Sequence, residues 1–194
     1  MKIKELIFAT GNIHKAEEAS RILGFTVKTA SEDVIKNTPE ENGDTFKDNA
    51  LIKAKYLYET TGLACFSEDS GLEVEYLGGK PGVKTARFAG DNATHESNNL
   101  LLLQKLENII HRDARFVACI CYIDKEGKTA FFEGSVRGTI AEKIRGEKGF
   151  GYDPVFIPEG HLQSFAELGP EIKDQISHRK IALQKLKEFL LEHE

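Results

Sequence analysis

The stretch that most restricts the fold lies within the first thirty residues. Leu6-Ile7-Phe8-Ala9-Thr10 is a short apolar run ended by Gly11-Asn12, and such a run bounded by a turn reads as a buried strand. From about His14 to Leu23, the residues Ala16, Ala19, Ile22 and Leu23 share one helical face, and Gly24 supplies a stop. Phe25 to Ala30 reads as a second strand. Strand, helix, strand in that order is a β-α-β unit with a right-handed crossover, so the chain is predicted to be α/β.

The rest of the chain continues in the same style. Ser31 to Gly43 is polar and reads as loop, and Asp44 or Thr45 can cap a helix to about Thr60, Thr45-x-x-Asp48 fitting a capping box, with Phe46, Ala50, Leu51, Ala54 and Leu57 inward. Leu63-Ala64-Cys65-Phe66 is another buried strand, expected to deliver Ser67-Glu68-Asp69-Ser70-Gly71 at its carboxyl end. A glycine-rich loop, Leu77 to Gly82, precedes a helix from Thr94 to about Ile109, with Leu100, Leu101, Leu103 and Leu106 expected on its buried side. Ala114 to Ile123 and Thr129 to Ile140 form a long hairpin about Asp124-Lys125-Glu126-Gly127. Gly149 to Pro154 is a tight loop leading into Val155-Phe156-Ile157, and the last helix starts at Ser177. With no repeats, low-complexity tracts or linkers, residues 1–194 read as a single domain with two lobes around a cleft.

Composition narrows the function. A net charge of −5 offers no broad basic face for nucleic acid, yet an acidic protein binds a small polyanion where a few lysines converge and a divalent metal bridges the remaining charge. No stretch approaches the roughly 20 apolar residues that span a bilayer, and Met1-Lys2-Ile3-Lys4-Glu5 lacks a signal peptide's pattern. Cys65, Cys119 and Cys121 form no C-x-x-C pair and read as reduced, buried thiols. A cytoplasmic protein is expected.

Four segments carry chemistry. Thr10-Gly11-Asn12-Ile13-His14-Lys15 turns from a strand into a helix N-terminus, where unpaired N–H groups and the positive dipole end suit an anion. It lacks the Walker glycine-lysine pattern, and a plain turn with Asn12 as N-cap is the competing reading. Glu40 and Glu41 in their loop, with Glu68-Asp69-Ser70 after a buried strand, suit a hard cation such as Mg²⁺. Asp69 could also accept a proton from a polarised water. Lys53 shares a helix face with Asn49, four residues earlier. Lys173 and Ser177-His178-Arg179 place cations at a helix start, which is unfavourable unless an anion sits there. Phe150-Gly151-Tyr152-Asp153 combines glycine, flat rings and an acceptor, as a nucleobase loop does; a tight turn burying Phe150 is the alternative, and it suits Tyr152 and Asp153 less well.

Taken in order, these segments resemble the inosine triphosphate pyrophosphatase family, which clears noncanonical purine triphosphates from the nucleotide pool. The matching stretches are Thr10-Gly11-Asn12-x-x-Lys15, Glu40-Glu41-x-Gly43-x-Thr45-Phe46-x-x-Asn49-Ala50, Asp69-Ser70-Gly71-Leu72 and Leu77-Gly78-Gly79-x-Pro81-Gly82. Ala86-Arg87-Phe88-Ala89-Gly90, Gly149 to Pro154 and Ser177-His178-Arg179 complete a colinear set along the whole chain. The resemblance implies an elongated mixed α/β fold with two lobes around a central nucleotide-binding cleft, a homodimer, and hydrolysis of ITP, dITP and XTP to monophosphate and pyrophosphate. It assigns Thr10 to Lys15 to the phosphates, Glu40 and Asp69 to Mg²⁺ (with Mn²⁺ as a substitute), and proton acceptance to Asp69. Ser70 and Lys173 would contact substrate, and Phe150 to Asp153 with His178 and Arg179 would form the base pocket. Glu68 departs from the pattern, since many relatives carry Asp there. A pyrophosphatase for modified pyrimidine or methylated nucleotides, and a non-catalytic nucleotide sensor, are the alternatives.

Overall fold

The computed structural model describes residues 5–193; Met1 to Lys4, read above against a signal peptide, and Glu194 lie outside them. A six-stranded mixed sheet has the order β2-β1-β3-β4-β5-β6, with β1 Glu5–Phe8, β2 Thr26–Thr29, β3 Cys65–Val74, β4 Asp113–Ile123, β5 Thr129–Ile140 and β6 Phe156–Pro158. The helices are α1 Ile13–Leu23, α2 Glu32–Lys36, α3 Phe46–Thr61, α4 His95–Lys105, α5 Phe165–Leu168, α6 Pro170–Ile176 and α7 His178–Glu192. Two compact units result, one of residues 1–69, 118–134 and 179–194, the other of 70–117 and 135–178.

The first unit contains the anticipated β-α-β. β1 pairs in parallel with β2, Leu6 opposite Val27, and with β3, Phe8 opposite Phe66. Gly24 closes α1 in the left-handed conformation at φ 76°, which glycine adopts without steric cost. Side chains alternate across a strand, and this sorts the core into two layers. Phe8, Phe66 and Ile120 pack with α1 and α7 through Ala19, Leu23, Leu183 and Leu186. Ala9, Cys65, Cys121 and Ile123 pack with α3 through Ala50, Ala54 and Leu57. The thiols of Cys65, Cys119 and Cys121 are buried and free, and burial pushes each up to about 12.

In the second unit one cluster joins Leu72 and Val74 of β3 to Leu102 of α4, to Leu106 at its C-cap, and to Tyr152, Phe156 and Phe165. Here the structure departs from the α4 pattern read above. Leu102 and Leu106 are buried beside Asn98 and Asn99, whereas Leu100 is 53% exposed. The inward stripe runs through 98, 102 and 106: Leu106 is buried as expected and Leu101 and Leu103 are partly covered, while Leu100 faces out and Asn98 and Asn99 occupy inward places that a hydrophobic count skips.

The turns follow their residues. Thr45 caps α3 by accepting the Asp48 N–H at 3.1 Å. Thr94 and Ser97 make a capping box for α4. Between β4 and β5, Asp124 accepts the N–H groups of Glu126 and Lys128, with Gly127 at φ 81°. The structure adds short helices that the sequence pattern does not announce: α2 lies within the polar stretch 31–43, and α5 and α6 precede the last helix. Each has seven residues or fewer, too few for a periodic signal.

Candidate functional site

β3 is longer than its sequence suggests. Ser67 to Gly71 were expected at a strand end, yet β3 continues to Val74. The reason is its neighbours: β1 stops at Phe8, with Ala9 N–H still donating to the Phe66 carbonyl at 2.8 Å, while β3 runs on beside β4. Glu68 and Asp69 thus lie just past the carboxyl end of β1, beside the turn into α1.

Being adjacent on a strand, these two carboxylates face opposite ways. Glu68, 2% exposed, turns to the α1 and α7 side. Arg179 meets it with a two-pronged grip, Nε to Oε2 and Nη2 to Oε1 at 2.7 Å each, and directs Nη1 to Glu18. Lys15 Nζ lies 3.3 Å from Glu68 Oε1. Burial lowers the Lys15 pKa, Glu68 pulls it up, and the neighbouring cations Arg179 and Lys53 lower it again. Glu68 and Glu18 hold the Arg179 pKa above its ordinary value despite complete burial.

Asp69 turns to the α3 side. Asn49 Nδ2 donates to its Oδ2 at 3.2 Å, and Lys53 Nζ lies 3.5 Å from Oδ1. The same ammonium donates to Glu41 Oε2 at 2.6 Å. Asn49 Oδ1 also accepts the Gly43 N–H at 2.8 Å, tying the acidic loop to α3. A Cβ on Gly43 would strike Asp48 and Asn49, so only glycine allows that approach. Asp69 is 8% exposed, and burial raises its pKa over the opposing pull of Lys53 and Lys15. Glu41 is the acidic partner brought to Lys53, while Glu40 is exposed.

The turn before α1 is built as an N-cap. Asn12 Oδ1 accepts the N–H groups of His14 and Lys15 at 3.0 and 3.4 Å, and Thr10 Oγ1 accepts that of Asn12. Ile13 is 58% exposed, and His14 lies on the surface near Glu17.

The remaining predicted residues belong to the second unit. In the loop after Gly149, Asp153 Oδ2 accepts the Phe150 N–H at 2.9 Å and a bond from Lys173 Nζ at 2.7 Å. Lys173 Nζ lies 4.3 Å from the centre of the Phe150 ring, a cation–π contact. Gly149 is at φ 81°, and a Cβ there would collide with the Asp153 carboxylate. His178 stacks on Phe116 with ring centres 4.7 Å apart. Ser70 is half-buried.

Two expectations change. The sequence favours Phe150 over Tyr152 and Asp153 for burial, but Tyr152 and Asp153 are 4% and 2% exposed and Phe150 is only partly covered. Tyr152 can enter the core because its hydroxyl donates to the Thr85 carbonyl at 2.9 Å. Arg179, expected to face a nucleobase, is 1% exposed and directs its donors to Glu68 and Glu18. Glu18 escaped notice, although a glutamate one turn after Lys15 beside the Ala16–Ala19 stripe was the available signal.

The sequence profile described as Ham1 family matches residues 6–189. The chain belongs to the Ham1 family. It is 48% identical to the dITP/XTP pyrophosphatase of Porphyromonas gingivalis over 192 residues, covering 97% of this chain and 98% of that protein. The dITP/XTP pyrophosphatase of Thermus thermophilus is 43% identical over 190 residues, covering 95% of this chain and 90% of the relative. Among solved structures, the Staphylococcus aureus Ham1 protein superposes with a TM-score of 0.88 at 38% identity, covering 98% of this chain and all of that one. A Mycobacterium abscessus structure described as nucleoside-triphosphatase / dITP/XTP pyrophosphatase gives 0.73 at 42% identity, covering 94% and 98%.

The Ham1 cluster around Asp69 sets three cations, Lys15, Lys53 and Arg179, against four carboxylates, Glu18, Glu41, Glu68 and Asp69. With carboxylates outnumbering cations, the cluster would hold a polyanion only with added positive charge, such as a divalent metal supplies. Among the described residues no three His, Cys, Asp or Glu side chains form a ready-made metal cage. Mg²⁺ is nonetheless compatible, since it keeps waters and binds through one or two carboxylates plus phosphate oxygens. Asp69 and Glu41 already share a cation, the Lys53 ammonium.

Proposed function

We propose that this Ham1 chain is a nucleoside-triphosphate pyrophosphatase. It cleaves the α–β phosphoanhydride of ITP, dITP and XTP, releasing the nucleoside monophosphate and pyrophosphate and so removing noncanonical purines from the pool. The observation that carries the reading is buried Asp69, held by Asn49 and flanked by Lys53 and Lys15 next to the helix-α1 turn. The names of the relatives point to the same activity.

In this reading the Thr10–Lys15 turn and Lys53 bind the phosphates, and Ser70 contacts them beside Asp69. Asp69, with Glu40 or Glu41 from the neighbouring loop, would hold Mg²⁺ or Mn²⁺. The metal would supply charge neutralisation on the phosphates, the main demand of phosphoryl transfer. Asp69 orients the attacking water and takes its proton, a task that its raised pKa suits. Phe150, Gly151, Tyr152 and Asp153, with Lys173 and His178, form the base site. A 6-oxo purine accepts hydrogen bonds from donors there, whereas a 6-amino group would leave them unpaired. One such mismatch costs roughly 1–3 kcal/mol, or about 5- to 150-fold in rate. Arg179 and Glu18 support Glu68 from behind. The working protein is a single-domain cytoplasmic homodimer; among the described residues no helix is long and apolar enough to cross a membrane.

A panel of ITP, dITP, XTP, ATP and GTP with Mg²⁺ or Mn²⁺, read by pyrophosphate release, tests the proposal. The three noncanonical triphosphates should turn over at least about fivefold faster than ATP. Equal rates on ATP, or binding of ITP with no turnover as a sensor would show, refute it.

A further inference from the structure

Two neighbouring asparagines of α4 are both buried but are satisfied differently. Asn98 is complete: Nδ2 donates to the Ala86 carbonyl at 2.9 Å and Oδ1 accepts the Ala89 N–H at 2.8 Å. Asn99, 3% exposed, donates through Nδ2 to the Gly151 carbonyl at 2.9 Å, while its Oδ1 meets no donor among the described residues. A buried acceptor left without a donor costs about as much as one made hydrogen bond contributes. Asn99 therefore adds little to the stability of α4, and an apolar side chain of its size would suit the site as well.

What Asn99 does accomplish is local. Gly151 is the centre of the loop 149–153 and has φ 63°, with open space where a Cβ would be, so its backbone has little else to restrain it. Its carbonyl lies in the Gly151–Tyr152 peptide, so the Asn99 bond fixes that plane, one residue after Phe150. On one side, Phe150 and Asp153 close the loop on themselves through the Phe150 N–H and the Asp153 N–H. On the other, Tyr152 Oη donates to the Thr85 carbonyl, and Thr85 Oγ1 accepts the Leu72 N–H at 3.2 Å. One turn before Asn99 on the same helix face, the His95 ring lies 6.3 Å from that of Phe150.

We propose that Asn99 is a positioning residue for the nucleobase: through the Gly151 carbonyl it sets the angle at which Phe150 is presented. This rests on the base-site reading of the loop given above.

The test uses Asn99→Leu, which removes both the donor and the unpartnered acceptor, and Asn99→Asp, which keeps the shape and loses the N–H facing Gly151. In both, hydrogen exchange at the Phe150 and Asp153 amides should accelerate at least about tenfold while α4 and β3 keep their protection. The KM for ITP should rise about five- to tenfold with kcat within about twofold, and Asn99→Leu should keep the wild-type Tm. Unchanged loop exchange in either variant overturns the proposal. So does faster loop exchange without a change in KM, or faster exchange throughout the unit in both variants, since Asn99 would then serve stability alone. Wild-type protein inert toward ITP would refute the functional reading, while the exchange data would still report whether Asn99 holds the loop.

Discussion

Asp69 is stabilised as a carboxylate by Lys53, Lys15 and Asn49, yet burial outweighs them and raises its pKa from the ordinary 3.8. The protonated form is thus favoured on folding, and the sign of the pH dependence follows. Stability from this group is present below the unfolded pKa and is lost as pH rises through the folded one. In the metal-free protein Asp69→Asn should therefore melt above wild type near pH 8, and the gap should narrow as the pH falls and wild-type Asp69 takes up its proton. Thermal melts of both proteins across that range decide it; a gap that widens on acidification would contradict the burial argument. The same substitution should cut turnover of ITP about 10²- to 10⁴-fold, the range for loss of a general base, and leave nucleotide affinity within about tenfold. Single-turnover kinetics with parallel binding titrations separate the two. Higher stability without activity would mark Asp69 as a residue placed for chemistry against the preference of the fold.

At the level of elements, Arg179 joins three pieces of the first unit. It lies in the first turn of α7, Glu18 belongs to α1 and Glu68 to β3. Removing the guanidinium would take its charge away from two carboxylates buried at 5% and 2% exposure, with Lys15 still beside Glu68. Breaking a buried ion network by deleting one partner typically costs about 3–5 kcal/mol. Arg179→Met should lose that much in urea unfolding, whereas Arg179→Met with Glu18→Gln and Glu68→Gln should recover most of it, because the two carboxylates that the guanidinium served are then neutral amides. Equal stability of the single and triple variants would refute the network. Much of this level was legible in the sequence. α1, α3 and the β4–β5 hairpin declared themselves through period, caps and turn residues, because each is long enough to repeat its pattern. The extent of β3 was not legible, since the charged run Glu68-Asp69-Ser70 looks like a loop until its neighbouring strands are known. Nor was the Arg179 network, because Glu18, Glu68 and Arg179 lie far apart in sequence and only tertiary packing unites them.

For the molecule as a whole, the residues proposed for function could be named along the chain, but the pairings each of them makes within its own unit could not. Thr10 to Lys15, Lys53 and Asp69 do lie in one unit, and Phe150 to Asp153, Lys173 and His178 in the other. The sequence does not reveal that Lys53 links Asp69 to Glu41, or that Asp153 spends its carboxylate on Phe150 and Lys173. Such pairings are set by distances of a few ångströms, which spacing along a chain does not encode. They also predict how the protein responds to metal removal. Each unit has its own hydrophobic core, and Lys53 already neutralises part of the Asp69–Glu41 charge without a metal. Folding should therefore be independent of the divalent cation even though turnover is not. This is the reverse of a structural zinc site, whose binding energy is folding energy. EDTA should abolish pyrophosphate release from ITP and leave the Tm within about 2 °C of its starting value, a shift worth only a fraction of a kcal/mol for a chain of this size. Restoring Mg²⁺ together with excess nucleotide should then raise the Tm by mass action, through a stabilisation of about 2.7 kcal/mol at 100 times Kd. Collapse of the fold on chelation would mean that the carboxylates are held in place by a metal, and the role given to Lys53 would have to be abandoned.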